Sequence, residues 1–173
     1  MKIVLVGYMG SGKSSIGKKL AEVVKLPFMD LDSEIEKTEG IAVSEIFSQK
    51  GEIYFRNIEN KILKKVLDQP DNFILATGGG TPCYGDSMDY ILKKQGVVSI
   101  YLRTPLKVLV SRLMLEKDER PLLIHINTEN ELEDFIRKNL FERAFYYNQA
   151  AVTIDVVSES ITETVAKIIL KLF

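Results

Sequence analysis

The chain has 173 residues, 46% hydrophobic and 27% charged, with a formal net charge of −1. This length points to one domain with its own core, and a near-neutral balance leaves no electrostatic footprint for nucleic acid. The apolar runs are too short to span a bilayer, the first residues are unlike a signal peptide, and one cysteine, Cys83, rules out an internal disulfide, so a cytoplasmic protein is expected.

Residues 3–6 read as a first strand, and Gly7-Tyr8-Met9-Gly10-Ser11-Gly12-Lys13-Ser14 follows it directly. This is the G-x-x-x-x-G-K-[ST] pattern of a phosphate-binding loop, in which glycines let backbone N–H groups curl around a polyphosphate. Lys13 supplies a point charge for the β- and γ-phosphates, and the Ser14 hydroxyl suits Mg²⁺. A plain glycine turn is the alternative; the strand before and the helix after weigh against it. That helix carries Ile16, Leu20, Val23 and Val24 on one face.

A second strand at residues 27–29 runs into Asp30-Leu31-Asp32. Ligands of open α/β sheets bind outside the carboxyl ends of the strands, where this pair falls. Alternation along an extended segment would aim both carboxylates one way, one toward a metal-bound water and the other toward a hydroxyl proton. The competing reading is a helix N-cap at Asp32 or Ser33, and the two are compatible. Further on, Arg56 sits on a helix between Glu52 and Glu59, whose apolar stripe is Ile58, Ile62 and Val66. A solvated ion-pair ladder and an arginine held ready for a substrate carboxylate both fit that spacing, with Glu59 orienting Arg56.

The third strand, residues 73–76, ends in Thr77-Gly78-Gly79-Gly80, more glycine than a βα turn requires and suited to ligand contact. A fourth strand spans residues 97–102. After it come Arg112 and, beyond Glu116-Lys117-Asp118-Glu119, the stretch Arg120-Pro121-Leu122-Leu123; these arginines are either a solvated face or cations of a mobile cover over a nucleotide. Arginine is scarce here, six residues against seventeen lysines, so each one invites inspection. Leu132, Phe135, Ile136 and Leu140 mark a helix leading to Arg143 and Phe145-Tyr146-Tyr147, the last three read as packing residues. A fifth strand at residues 152–156 precedes a closing helix with Ile161, Val165, Ile168, Ile169 and Leu172, capped by Ser158 or Ser160. His125 and Cys83 have no chemical companions at useful spacing.

Short strands alternating with helices predict an open, doubly wound α/β fold, a three-layer sandwich around a parallel sheet. About forty residues separate strands two and three, and about fifty separate four and five, more than simple crossovers need. The surplus predicts two helical insertions, a substrate-binding part and a cover.

With the loop, the Asp30-x-Asp32 pair, Phe55-Arg56, the triple glycine and Arg120-Pro121-Leu122-Leu123 in this order, the chain resembles shikimate kinase over nearly its full length. The resemblance implies one domain with a five-stranded P-loop core, a substrate-binding insertion near residues 32–67 and a lid near 113–128. It implies ATP and shikimate as small-molecule partners and Mg²⁺ as cofactor; the charge balance and short apolar runs predict no nucleic-acid or membrane partner, and with no obvious extra interface a monomer is expected. Gly10, Ser11, Gly12, Lys13, Ser14, Ser15, Arg112 and Arg120 would bind ATP, with Arg112 against adenine. Ser14 would hold Mg²⁺, with Asp30 or Asp32 acting through water. Asp32, Arg56, Gly78, Gly79, Gly80 and Arg143 would bind shikimate, and Lys13, Asp32 and Arg120 would carry catalysis. Two departures stand out: Phe145 replaces a proline common in the family, and the spacing from Arg112 to Arg120 is about one residue longer. Competing functions are a gluconate or nucleoside-monophosphate kinase, a nucleotide switch or ATPase acting on a protein, and a kinase fold without activity. The chain lacks the guanine-reading and switch motifs of a GTPase, and the intact Lys13, Ser14, Asp32 and Arg120 oppose the last of these.

Overall fold

Side chains alternate across strand β1 (Lys2–Val6): Ile3 and Leu5 enter one apolar core, Val4 and Val6 the other. A strand buried on both faces belongs in the middle of a parallel sheet, and β1 lies there. The structure, a computed structural model, describes residues 1–117, 120, 122–157 and 160–172. With β2 (Phe28–Asp30), β3 (Ile74–Ala76), β4 (Val97–Arg103) and β5 (Val152–Asp155), β1 forms one sheet in the order β2-β3-β1-β4-β5, every pairing parallel.

Helices α1 (Lys13–Val24) and α7 (Ile161–Leu172) cover the face that receives Ile3 and Leu5. The opposite face takes α3 (Val43–Leu67), α4 (Ser87–Lys93), α5 (Leu106–Glu116) and α6 (Glu129–Tyr147). Helix α2 (Leu31–Glu39) packs on α3, and both lie between β2 and β3. Helices α5 and α6 pack together between β4 and β5, so each of the two long gaps carries helices. Gly51, at φ 80° and ψ 171°, breaks α3 into two helical pieces, the second carrying Arg56 and Glu59.

Three helix details differ from the periodic reading. Val23 is 51% exposed because α1 is seated one position earlier, on Ile16, Leu20 and Ala21. Ile161, in the first turn of α7, is 45% exposed, and the buried stripe begins at Val165. Within residues 145–147 only Tyr147 is fully buried, stacked on Tyr101 at 5.2 Å, whereas Phe145 is 73% exposed. Ser160 caps α7, its hydroxyl accepting from Glu163 N and its N–H donating to the Glu163 carboxylate; Ser158, Asp118, Glu119 and Pro121 lie outside the described residues.

Registry brings the functional loops level. Leu5 pairs with Ala76, Ala76 with Asp30, and Val6 with Tyr101, so the segments that follow leave the sheet side by side at one edge. The Thr77 hydroxyl donates to Leu5 O at 2.9 Å and ties two of them together.

Candidate active site

Gly10 and Gly12 hold φ values of 78° and 92°, a region a Cβ makes costly, and this lets the loop after β1 close into a ring before α1 starts. Helix α1 has no side-chain cap, so its first N–H groups remain for an anion, aided by the helix dipole. Lys13, 8% exposed, donates from Nζ to Gly7 O at 2.8 Å and Tyr8 O at 2.9 Å, with Ser11 Oγ at 3.5 Å. Burial pushes its pKa down to about 8; the Asp32 charge opposes that shift and the Arg120 charge adds to it. Ser11 is fully buried behind the loop, whereas Ser14 and Ser15 face the cleft.

At the end of β2 the chain turns into a helix sooner than strand alternation assumes. Asp30 is the N-cap of α2, its Oδ1 accepting from Asp32 N at 3.1 Å, and Asp32 already lies in the first turn. The two carboxylates therefore converge through a cap, and the cap residue is Asp30 instead of Asp32 or Ser33. Asp30 Oδ2 also accepts from Ser14 Oγ at 2.9 Å. Half-buried Asp32 is pushed up to about 6, first by burial and then by Asp30 and Glu59, against the pull of Lys13. Ser14 and the two acids are oxygen donors of the kind Mg²⁺ prefers. Among the described residues no set of three His, Cys, Asp or Glu side chains forms a metal cage by itself, so an ion here would draw on phosphate oxygens as well.

Beyond β3 the three glycines are needed for close approach, since none of them has a positive φ. A Cβ on Gly80 would lie 2.7 Å from Arg56 Nη2, and one on Gly79 would lie 3.1 Å from Met9 N. Glu59, 2% exposed, accepts from Arg56 Nη1 at 2.8 Å and from the Thr81 hydroxyl. Arg56 lies 4.0 Å from the Tyr84 ring centroid, and its Nε has no hydrogen-bond partner, with Glu52 an ion-pair neighbour at 3.5 Å. Replacing Gly80 with alanine would push Arg56 aside.

Arg143 stands over the Tyr8 ring at 5.4 Å, its Nη1 3.7 Å from a Cβ on Gly79, and no carboxylate pairs with it among the described residues. The Tyr147 hydroxyl donates to Gly79 O and fixes the loop against α6. Cys83, beside Arg143, Arg56 and Glu59, has its thiol pushed up to about 11 by burial. Of the other arginines, Arg103 pairs with Asp155 and Arg137 with Glu133 and Asp134 on the surface. Arg112 donates to Gly10 O at 3.0 Å, and Arg120 to Glu116 Oε2.

One cleft of about 500 Å³ joins these parts, lined by the phosphate loop, Asp30, Asp32, Thr77, Gly78, Gly79, Arg112 and Arg120. Arg56, Gly80 and Arg143 stand just outside its wall, reached across Gly78 and Gly79. Val156, Ile161 and Thr164 also line the cleft, a role for which the sequence reading passed them over. Their only signal was position, since the segment after β5 reaches the same sheet edge.

A five-stranded parallel sheet with a phosphate loop after its central strand, and acids and arginines on the neighbouring loops, defines a P-loop kinase of small molecules. A family model described as shikimate kinase matches residues 9–173. Curated shikimate kinases of Flavobacterium johnsoniae and Flavobacterium psychrophilum are 44% and 46% identical, aligned over 97% of this chain and 96% and 98% of theirs. The crystal structure of shikimate kinase from Bacteroides thetaiotaomicron superposes with a TM-score of 0.89 at 33% identity, covering 99% of both chains. That of the Acinetobacter baumannii enzyme in complex with shikimate gives 0.87 at 31% identity, covering 99% of this chain and 92% of that one. A gluconokinase from Sinorhizobium meliloti, 18% identical with a TM-score of 0.61, shares the fold. The chain belongs to the shikimate kinase family.

Proposed function

We propose that this chain transfers the γ-phosphoryl group of ATP to the 3-hydroxyl of shikimate, giving 3-phosphoshikimate and ADP. Family membership supports the reaction, and one observation carries the assignment of residues. Asp32, Arg56 and Arg143 meet around Gly78, Gly79 and Gly80, against the phosphate loop; Arg56 Nε has no hydrogen-bond partner, and among the described residues no carboxylate pairs with Arg143. A small hydroxylated carboxylic acid satisfies that set, with the carboxylate on the guanidinium groups and a hydroxyl on Asp32.

The loop of residues 10–15 holds the triphosphate, Lys13 and Arg120 face its terminal group, and Arg112 lies beside the base with Val156, Ile161 and Thr164. Bound Mg²⁺ would be held by Ser14, with Asp30 and Asp32 through water, and would supply charge neutralisation at the β- and γ-phosphates. Asp32 aligns the acceptor hydroxyl and takes its proton as the phosphorus–oxygen bond forms. Phosphoryl transfer asks mainly for such positioning and charge stabilisation. Residues 32–67 act as the substrate-binding part of one domain, and residues 113–128 as its lid. Among the described residues no helix is long and apolar enough to cross a membrane; the reading is of a cytoplasmic monomer that binds neither nucleic acid nor lipid.

A coupled ADP-release assay over shikimate, gluconate and nucleoside monophosphates tests the assignment. Turnover should require shikimate; equal turnover with gluconate, or ADP release with no acceptor, would overturn it. Replacing Arg56 with alanine should raise KM for shikimate by about 10²-fold, the loss of a charge-assisted contact, with KM for ATP within a few-fold. A rise confined to ATP would remove Arg56 from the acceptor site.

A further inference from the structure

Arg120 is held in place before any substrate contact is made. Glu116 Oε2 accepts from its Nε at 3.0 Å and from its Nη2 at 2.5 Å, and both side chains line the cleft. The backbone is pinned too, with Arg120 N donating to Lys117 O, Leu123 N donating to Arg120 O, and the Leu123 side chain fully buried. The cation lines the same cleft as the phosphate loop, and its charge is among those felt by Lys13.

We propose that Glu116 is a positioning residue for phosphoryl transfer: by occupying the Nε side of the Arg120 guanidinium, it directs the Nη1 edge at the transferred phosphoryl group. The inference rests on the reading of Arg120 as a phosphate-binding lid residue. As a surface ion pair, the contact would contribute little to stability. Its value lies in geometry. A side chain 36% exposed, as that of Arg120 is, otherwise spreads over many rotamers, and fixing it costs entropy that the pair has met in advance. A carboxylate beside a polyphosphate is tolerable only while committed to a cation, so the pair adds direction without net charge. Glu116 is the last residue of α5 and precedes Arg120 by four positions, close enough in the chain for the two side chains to pair.

The test is a cycle of Glu116→Gln, Arg120→Ala and the double variant, with ATP and shikimate varied separately and thermal unfolding recorded. Glu116→Gln should lower kcat about 10- to 100-fold, leave KM for shikimate and the melting temperature unchanged, and cause no further loss in the Arg120→Ala background. An unchanged or increased kcat, or an equal further loss without Arg120, overturns the positioning role while leaving the function of Arg120 intact. Full turnover in Arg120→Ala alone would instead sink the reading of Arg120, and the inference with it.

Discussion

Replacing Asp32 with asparagine should lower kcat by about 10²–10⁴-fold, the range in which a positioned general base contributes, with KM for ATP within a few-fold of the parent. Asparagine keeps the shape and can still accept a hydrogen bond from the acceptor hydroxyl, but it cannot take the proton. The same residue should set the acid limb of the pH profile. Its carboxyl, pushed up to about 6 in the free protein, must be ionised to act as a base, so kcat/KM should rise with pH through that value. Stability should move the other way. The model-compound value is 3.8, so between there and about 6 the folded chain holds a proton that the unfolded chain has lost. Stability therefore falls as pH rises across the window, and the cost is fully present above it. Asp32→Asn should be more stable at neutral pH by on the order of 2 kcal/mol, seen as a higher melting temperature. A variant with full turnover, or one less stable at pH 7.5, contradicts the account.

Lys13→Ala should lower kcat by at least about 10²–10³-fold, the cost of removing a preorganised donor from developing charge, and should raise KM for ATP as well. Arginine should not rescue it. The ammonium fits between Gly7 O and Tyr8 O at normal hydrogen-bond distances in a buried position, where a planar fork has no room. The pKa of about 8 gives the basic limb. As pH rises through that value the free enzyme loses the charge that meets the triphosphate, so kcat/KM for ATP should fall. Bound ATP stabilises the ammonium, so kcat should hold to higher pH than kcat/KM does. A kcat/KM profile flat up to pH 9.5 would remove Lys13's burial from the explanation. Asp32 and Lys13 feel each other, so the two limbs are properties of the coupled pair.

The phosphate loop and all five strands were legible in the chain, since the first is a fixed spacing of glycine, lysine and serine and the strands are short apolar runs between helical stripes. The strand order was not, because local periodicity says nothing about which neighbour a strand pairs with. Asp30 and Asp32 were legible as a pair, yet the mechanism that joins them was not: the chain bends at Asp30 because its carboxylate caps α2. The triple glycine was visible, but its reason, the Arg56 guanidinium against Gly80 and Met9 N against Gly79, exists only once β1, β3 and α3 are assembled. Val156, Ile161 and Thr164 were signalled by nothing but their place after β5, because lining a cleft requires no particular residue type. Helix α1 misled by one position, since Gly17, where a Cβ would be 2.6 Å from Phe28, draws the helix close and turns Val23 outward.

Cys83, the sole thiol, stands half-buried beside the proposed acceptor site with its pKa pushed up to about 11. At neutral pH almost none of it should be thiolate, so it should react slowly with maleimides. A cysteine installed on an exposed surface would react first, and would accept a fluorophore or spin label without the native sulfur being removed. Distance measurements between such probes on α5 and α3 could then follow the two insertions during turnover in the unaltered site.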